Sequence, residues 1–322
     1  YATGFRAPSL GELFGGRSRF DLTVVDPCTS DPSGQFQTNA TVRANCIADG
    51  VPANGSYAEP PGQLPVITQG NVNLRPEKSR NLLFGAVYAP KWARGGFASI
   101  LTLEANYYDI RVTNAINAID PGLTLLNCAL TGAASSCALT VRTANGFVNE
   151  IDGTLQNLDG IRTRGVDATL NYRSPETGVG TFGLTLNANW LTKYVVSASN
   201  GAIIINRRGT ERGSPDQAYP KFKGNGTLSW NLGDFNASFT GRYISSVQEV
   251  SVVNKLNSRF YGDVQLNFTP AFLDRKFAFT IGVNNVFDRD PPGCFSCSIN
   301  NYDPSTYDVP GQFGYARLSY KM

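Results

Sequence analysis

No histidine occurs in the 322 residues, and that absence removes several chemistries at once. A Ser-His-Asp or Cys-His nucleophile needs imidazole as its base. A zinc site usually draws on four closely spaced Cys or His ligands, and the chain has six cysteines with one CxxC among them. Charge is scarce too, at 16% against the roughly 25% usual in soluble domains. The net charge of +3 forms no basic tract, which argues against nucleic acid as a partner. No run approaches the ~18 consecutive apolar residues that a membrane helix needs. This does not make the chain soluble, because a β-barrel crosses a bilayer without a hydropathy peak. Aromatics at 11% and few charges suit an apolar solvent.

What the chain has in abundance is alternation. In "DVQLNF" Val264, Leu266 and Phe268 alternate with Asp263, Gln265 and Asn267. The same period recurs at Phe277/Phe279/Ile281/Val283, Leu228/Trp230/Leu232, Phe182/Leu184/Leu186, Val166/Ala168/Leu170/Tyr172 and Leu101/Leu103/Ala105/Tyr107. Side chains of a strand point to alternate faces, so period two predicts strands, and no segment holds a helical period over its length. Nine strands are expected, at 77–88, 97–112, 157–173, 180–196, 219–232, 235–248, 258–269, 276–287 and 312–322, with a further strand end at 1–4.

Connection length separates a membrane barrel from a soluble sandwich. The links "APKWARGG", "SPETGVG", "GD" and "PAFLDR" are short. They alternate strictly with long ones at 5–76, 113–156, 197–218, 249–257 and 288–311. Bacterial outer-membrane barrels show this asymmetry, with short periplasmic turns and long extracellular loops. Loops of that length are improbable inside a compact soluble domain. The fold class expected is all-β: a transmembrane antiparallel β-barrel. Nine strands and a tail make too narrow a barrel for such loops, and "YATGFRAPSL" opens without Met like a strand end. The whole of 1–322 is therefore expected to be one portion of a larger barrel.

The stretches "YATGFRAPSLGELF", "NVNLRPEKSRNLLFGAVYAP", "LTLEANYYDIRVTNAI", "NLDGIRTRGVDATLNY", "FTIGVNNVFDRDPP" and "GQFGYARLSYKM" follow one another in an order that resembles the later barrel of the TonB-dependent receptors. The resemblance implies a plugged barrel of about 22 strands, of which this chain would hold the last ten or so, without the plug. It further implies a location in the outer membrane of a Gram-negative bacterium and active import of a scarce substrate, a ferric siderophore or an oligosaccharide. Energy would come from the TonB–ExbB–ExbD complex through a missing N-terminal part, and lipopolysaccharide would surround the barrel. Family members usually end in an aromatic residue, whereas this chain ends in Met322. A passive porin-like or structural barrel is the alternative.

At the extracellular surface, an oxidising place, cysteines form structural disulfides. Cys28/Cys46, Cys128/Cys137 and Cys294/Cys297 each fall within one long loop, so each pair is expected to be a local staple. The loop around "LNCALTGAASSC" is rich in Gly, Ala and Ser and is expected to build no core of its own. A thioredoxin-like role for "CFSC" would want a βαβ context. Arg207, Arg208 and Arg212 form the densest basic cluster; they would either attract an anionic ligand or be solvated or lipopolysaccharide-bound. Tyr302 and Tyr307 would stack on a sugar or catecholate, or belong to a girdle or loop core. Tyr107, Tyr108, Trp190, Tyr194, Trp230 and Tyr243 are expected at the membrane interfaces. "FRAP" (Phe5–Pro8) and "LRPE" (Leu74–Glu77) are expected to fix loop entry, since Pro holds its predecessor extended. Isolated Gly clusters such as "GTFGLT" and "GGRSR" lack the strand–helix context of a phosphate cradle. No catalytic residue, cofactor or metal ligand is assigned.

Overall fold

The computed structural model describes residues 1–322 apart from 60–61, 198–202, 213–215, 251–252, 298–299 and 322, and describes only the backbone at 159, 203 and 204. Met322, singled out above, therefore lies outside the described residues. Ten strands follow one another as neighbours in chain order within one antiparallel sheet. They are β1 (Ala2–Arg6), β2 (Glu77–Tyr88), β3 (Ile100–Asn117), β4 (Gln156–Arg173), β5 (Thr181–Ser197), β6 (Phe222–Leu232), β7 (Phe235–Ile244), β8 (Arg259–Phe268), β9 (Phe277–Asn284) and β10 (Phe313–Tyr320). A short strand, Ile203–Asn206, folds back on the end of β5. Strand positions agree with the alternation, with ends displaced by a few residues; Phe5 and Arg6, assigned to a loop, belong to β1.

Pairing registers turn the period-two pattern into two coherent faces. Phe84 pairs with Tyr107, Tyr107 with Val166, Val166 with Trp190 and Trp190 with Phe222. Further round, Leu228 pairs with Phe239, Phe239 with Val264 and Val264 with Val283. Apolar residues thus continue from strand to strand on one face, and many are exposed, Phe84 at 72% and Trp190 at 59%. The opposite face is a polar ladder: Thr227 to Thr240 at 2.9 Å, Asn187 to Asn225 at 3.0 Å and Thr280 to Asn267 at 3.0 Å. Exposed apolar outside and hydrogen-bonded polar inside is the arrangement of a wall in lipid. Among the described residues β1 and β10 do not pair with each other. The sheet is thus an open arc, and its two edges need partner strands to satisfy their backbone in a bilayer.

The girdle assignment needs correcting at two positions. Tyr107, Trp190, Trp230 and Tyr243 share the apolar face, but Tyr108 faces inward, where its hydroxyl accepts from Asn189 at 3.2 Å. Tyr194 also faces inward. A bulge inserts Thr192, so that Arg164 pairs with Lys193 while Gly165 pairs with Leu191. One extra residue reverses the parity beyond it.

The short connections turn on residues that tolerate positive φ, such as Gly233 (φ 55) between β6 and β7. At the other end, the first long loop is clamped as "FRAP" and "LRPE" suggest. Arg6 donates to Glu77 at 2.7 Å and to Glu12 at 2.9 Å, and Glu77 also accepts from the Ile116 amide at 2.7 Å.

The long loops are not helix-free, contrary to the absence of helical period. Helices span Leu10–Phe14, Ala40–Ala48, Pro121–Thr131 and Ala134–Cys137. Their signals are local rather than periodic. Asp120 caps Pro121–Thr131 by accepting from the Leu123 amide at 3.2 Å, Pro121 occupies the first turn, and Gly132 ends it at φ 63, as start and stop chemistry demands.

A charge on the apolar face should unfold the wall where a charge on the polar face does not. Leu186→Arg is expected to destabilise by ~2–4 kcal/mol, while the neighbouring Thr185→Arg is tolerated. Heat-dependent gel mobility of the membrane-extracted protein measures the folded fraction of each; equal loss in both would contradict the assignment of faces.

Candidate functional site

Beyond the strands, on the side of the long loops, the chain folds into two compact bodies. The first joins residues 7–76 to residues 118–155. Strands Ser18–Val24, Gly62–Thr68, Val148–Asp152 and Thr140–Arg142 form a four-stranded sheet in that order, with Val66 paired parallel to Ile151 across the two loops. Leu64, Val66, Leu125, Val148 and Ile151 make one buried cluster beneath it. Cys28, Phe36, Val42, Cys46, Val51, Tyr57 and Ala129 make another.

Disulfides close this body at Cys28–Cys46 and Cys128–Cys137, the pairing expected. The expectation that the "LNCALTGAASSC" loop builds no core is overturned. Leu125, Cys128 and Ala129 are buried against the first loop, and Asn45 donates to the Ala129 carbonyl at 2.9 Å. The loop lacks a core only when considered by itself; the apolar stripe of its helix finds one in its neighbour.

A buried ionic knot ties the same two loops. The Arg142 guanidinium meets Asp26 at 2.6 Å and Asp49 at 2.8 Å, with side-chain exposures of 4%, 1% and 10%. Tyr57 donates to Asp26 at 2.7 Å, and burial first, then the neighbouring Asp26, pushes its phenol far above the ordinary range. Burial also holds the Asp49 carboxyl above its usual value, outweighing the lowering by Arg142.

The second body gathers the last three long loops. Ala218, Val247, Leu256, Cys294, Cys297 and Tyr307 form its core, closed by the Cys294–Cys297 disulfide. The carboxylate of Glu249, 3% exposed, accepts from the Phe295 and Ser296 amides at 2.9 and 2.7 Å. It thereby satisfies the donors of the tight "CFSC" turn. Asp303 accepts from the Ala218 amide at 3.0 Å, joining two of the loops.

The predicted contact residues divide between these settings. Tyr307 is a core residue, 3% exposed, with burial raising its phenol; its ring is unavailable for stacking, so the ligand-stacking alternative gives way to the loop-core one. Tyr302 is half-buried elsewhere in the same loop. Arg208 donates to the Leu191 carbonyl at 2.9 Å and holds the bulge of β5. Arg207 is different. It is 6% exposed and makes no ion pair among the described residues. Burial, and then the adjacent Arg212, pull its guanidinium below its ordinary value. Arg212 carries a buried Nε with no acceptor. Around the two lie Tyr194 and Tyr219, rings 4.9 Å apart, with Asp120 near enough to act on Arg207. Neighbouring arginines predicted the cation; the inward parity of Tyr194 depends on the bulge, which no local motif announces.

Arg207 is thus held out of water with the half-buried Arg212 beside it, and neither guanidinium makes an ion pair among the described residues. The groups present there offer guanidinium donors and phenol rings. Among the described residues one group of potential metal ligands, the Asp49 carboxylate with the sulfurs of Cys128 and Cys137, lies close together. Its two sulfurs are bonded to each other, which leaves no thiolate to ligate.

Fold and loop architecture together define an antiparallel barrel wall, apolar on one face and polar on the other, with ordered loops gathered at one end. The TonB dependent receptor-like β-barrel family matches residues 1–286, and the chain belongs to that family. Members are transporters of the Gram-negative outer membrane, not enzymes. No curated protein matches the sequence. Among solved structures, the siderophore receptor PirA of Acinetobacter baumannii is similar at 16% identity and TM-score 0.55, covering 99% of this chain and 38% of that receptor. The ferric enterobactin receptor PfeA of Pseudomonas aeruginosa, solved with enterobactin, is similar at 15% identity and TM-score 0.56, covering 99% and 37%. The chain thus spans well under half the length of either receptor.

The ionic knot predicts opposite outcomes at its two ends. Arg142→Met strands two buried carboxylates and should destabilise the first body by about 3–5 kcal/mol. Asp49→Asn should be neutral or stabilising at neutral pH, because an acid held above its ordinary value loses stability on ionising. That advantage shrinks as pH falls through the raised value and is gone below the ordinary carboxylate pKa of about 3.9. Thermal unfolding across pH, followed by proteolysis of the loops, measures both; an Asp49→Asn variant less stable than wild type at neutral pH would be inconsistent with this account.

Proposed function

We propose that this chain is the loop-bearing part of an outer-membrane active transporter that captures an anionic ferric chelate and imports it with energy delivered through TonB. The observation that carries the reading is the buried Arg207 with the half-buried Arg212 beside it, neither in an ion pair among the described residues, bordered by Tyr194 and Tyr219. A ferric chelate of catecholate or carboxylate type is an extended anion with aromatic or planar faces. Guanidinium forks hold such oxygens in pairs, and phenol rings pack against the faces. A neutral oligosaccharide would use the rings but would leave both cations uncompensated.

Family membership supports the transport reading, and the two solved receptors named above are a siderophore receptor and a ferric enterobactin receptor. Energy coupling would run through TonB and its ExbB–ExbD partners by way of a plug outside this chain. Placement in the outer membrane follows the same reading.

The test uses the full-length receptor in iron-starved cells. Arg207→Gln with Arg212→Gln is expected to weaken binding of radio-iron chelate by ~10- to 100-fold, since a charge-assisted hydrogen bond contributes roughly 1.5–3 kcal/mol. Uptake should vanish without TonB. Unchanged affinity in the double variant for every anionic chelate bound by wild type, or uptake that persists without TonB, would overturn the proposal.

A further inference from the structure

The small sheet of the first loop body ends in a strand with nothing beside it. Ser18–Val24 pairs with Gly62–Thr68, and its far edge has no partner strand among the described residues. The middle strand settles which backbone groups face that edge. The Ile67 carbonyl accepts from the Gly153 amide at 2.8 Å. Ile67 therefore turns away from Arg19, its partner in register. Hydrogen-bonded and non-hydrogen-bonded pairs alternate along an antiparallel ladder. Arg19–Ile67, Asp21–Pro65 and Thr23–Gln63 are thus the non-bonded pairs, and Pro65, which has no N–H to give, costs the ladder no bond. The N–H and C=O groups of Arg19, Asp21 and Thr23 consequently point out of the sheet, where no backbone group meets them among the described residues.

An exposed edge is a template for another strand, and natural sheets often blunt it with charge. This edge is charged, but with both signs in an order that a copy of itself would match. Arg19 and Asp21 flank Phe20, their side chains 2.8 Å apart and 61% and 40% exposed. Bonds form across the edge only where outward-facing residues stand opposite outward-facing residues. Among such registers, setting Phe20 opposite the Phe20 of a second, antiparallel copy places each Arg19 opposite the other copy's Asp21. Moving either way to the next such register places Asp21 opposite Asp21, or Arg19 opposite Arg19, and like charges directly opposite are destabilising. The matched register also joins Phe20 to Phe20 in a non-hydrogen-bonded pair, where cross-strand side chains come closest. Phe20 is 46% exposed and lies outside the cluster against which Leu22 and Val24 pack.

We propose that Ser18–Val24 is a self-association edge, at which two copies of this chain pair antiparallel about Phe20 and make one sheet continuous across both. The contact is isologous, the same residues serving on each side. A single strand edge falls short of the ~1,000 Å² that a stable free-standing complex buries, so the association is transient and belongs to copies held in one membrane. Arg207 lies in the other loop body, and the proposal does not rest on the chelate reading.

The test uses the full-length receptor in outer membranes, with cysteines introduced on the edge; no native cysteine is free among the described residues. Phe20→Cys should cross-link into a dimer on mild oxidation, since facing residues of a non-hydrogen-bonded pair lie within disulfide reach. Val24→Cys, whose two copies would stand roughly 27 Å apart along the strands, should not. In the Phe20→Cys background, Asp21→Arg or Arg19→Asp should each lower the dimer yield ~10-fold. The two charge variants carry opposite signs, so co-expressed with different epitope tags they should cross-link to each other as well as Phe20→Cys does alone. That recovery also shows that both are folded. Equal cross-linking at the two cysteine positions, charge variants that dimerise like their parent, or no recovery on co-expression would each overturn the proposal. So would cross-linking of Phe20→Cys to a different protein, or a Phe20→Cys thiol shielded from maleimide in the monomer, which would put another segment of the same receptor on this edge.

Discussion

Inside hydrocarbon a backbone N–H or C=O without a partner costs several kcal/mol, and the architecture follows from avoiding that penalty. The pairings from Arg6–Glu77 to Phe277–Tyr320 satisfy the main chain sideways, strand to strand. Side chains are then free to differ completely on the two faces. One face can be apolar enough for lipid and the other polar enough for a wet or plugged interior, provided register is kept. A one-residue slip anywhere would send every later side chain of that strand to the wrong solvent. The polar ladder of Thr227–Thr240 and Asn187–Asn225 contacts and the apolar sequence from Phe84 to Val283 hold register from both sides.

Above the membrane the constraint changes, because water can satisfy loose backbone but gives a long loop no reason to order. The loops solve this collectively. Two of them share a sheet, two buried clusters and the Arg142 knot. Three others share a core around Cys294–Cys297 and Tyr307. Disulfides alone restrict only short stretches of chain; the inter-loop cores decide how one loop sits on another. Against that ordered background an uncompensated buried cation such as Arg207 acquires meaning, since a floppy loop would simply have turned it to solvent.

The strands were legible because period two is imposed along each segment independently of its neighbours. Glu77–Tyr88 shows this most directly, with the alternation and the observed limits coinciding. Strand ends were less so: β3 runs on to Asn117 because its upper half pairs with β4 above the membrane, where alternation lapses. The disulfides were legible from spacing within loops and the oxidising compartment. The loop helices were legible in principle from Asp120-Pro121 and Gly132, but not from periodicity, which a helix of this length packed on two sides does not display. Tyr307 was placed at the ligand or in a core with equal justification, since burial in a multi-loop body depends on contacts distant in sequence. Tyr194 was misplaced for a sharper reason: alternation assumes an uninterrupted frame, and Thr192 interrupts it.

That interruption has a larger effect than a local kink. Without Thr192 as an extra residue, Lys193 would point into the interior and Tyr194 out toward lipid. With it, a cation is delivered to the lipid-facing surface and a phenol to the neighbourhood of Arg207. The bulge therefore works like a railway switch set into one strand: alternation below it runs in one frame and alternation above it in the other. Insertions or deletions at this point would be felt simultaneously on both faces of the wall, which makes a single inserted residue the common determinant of what the end of this strand shows to either side.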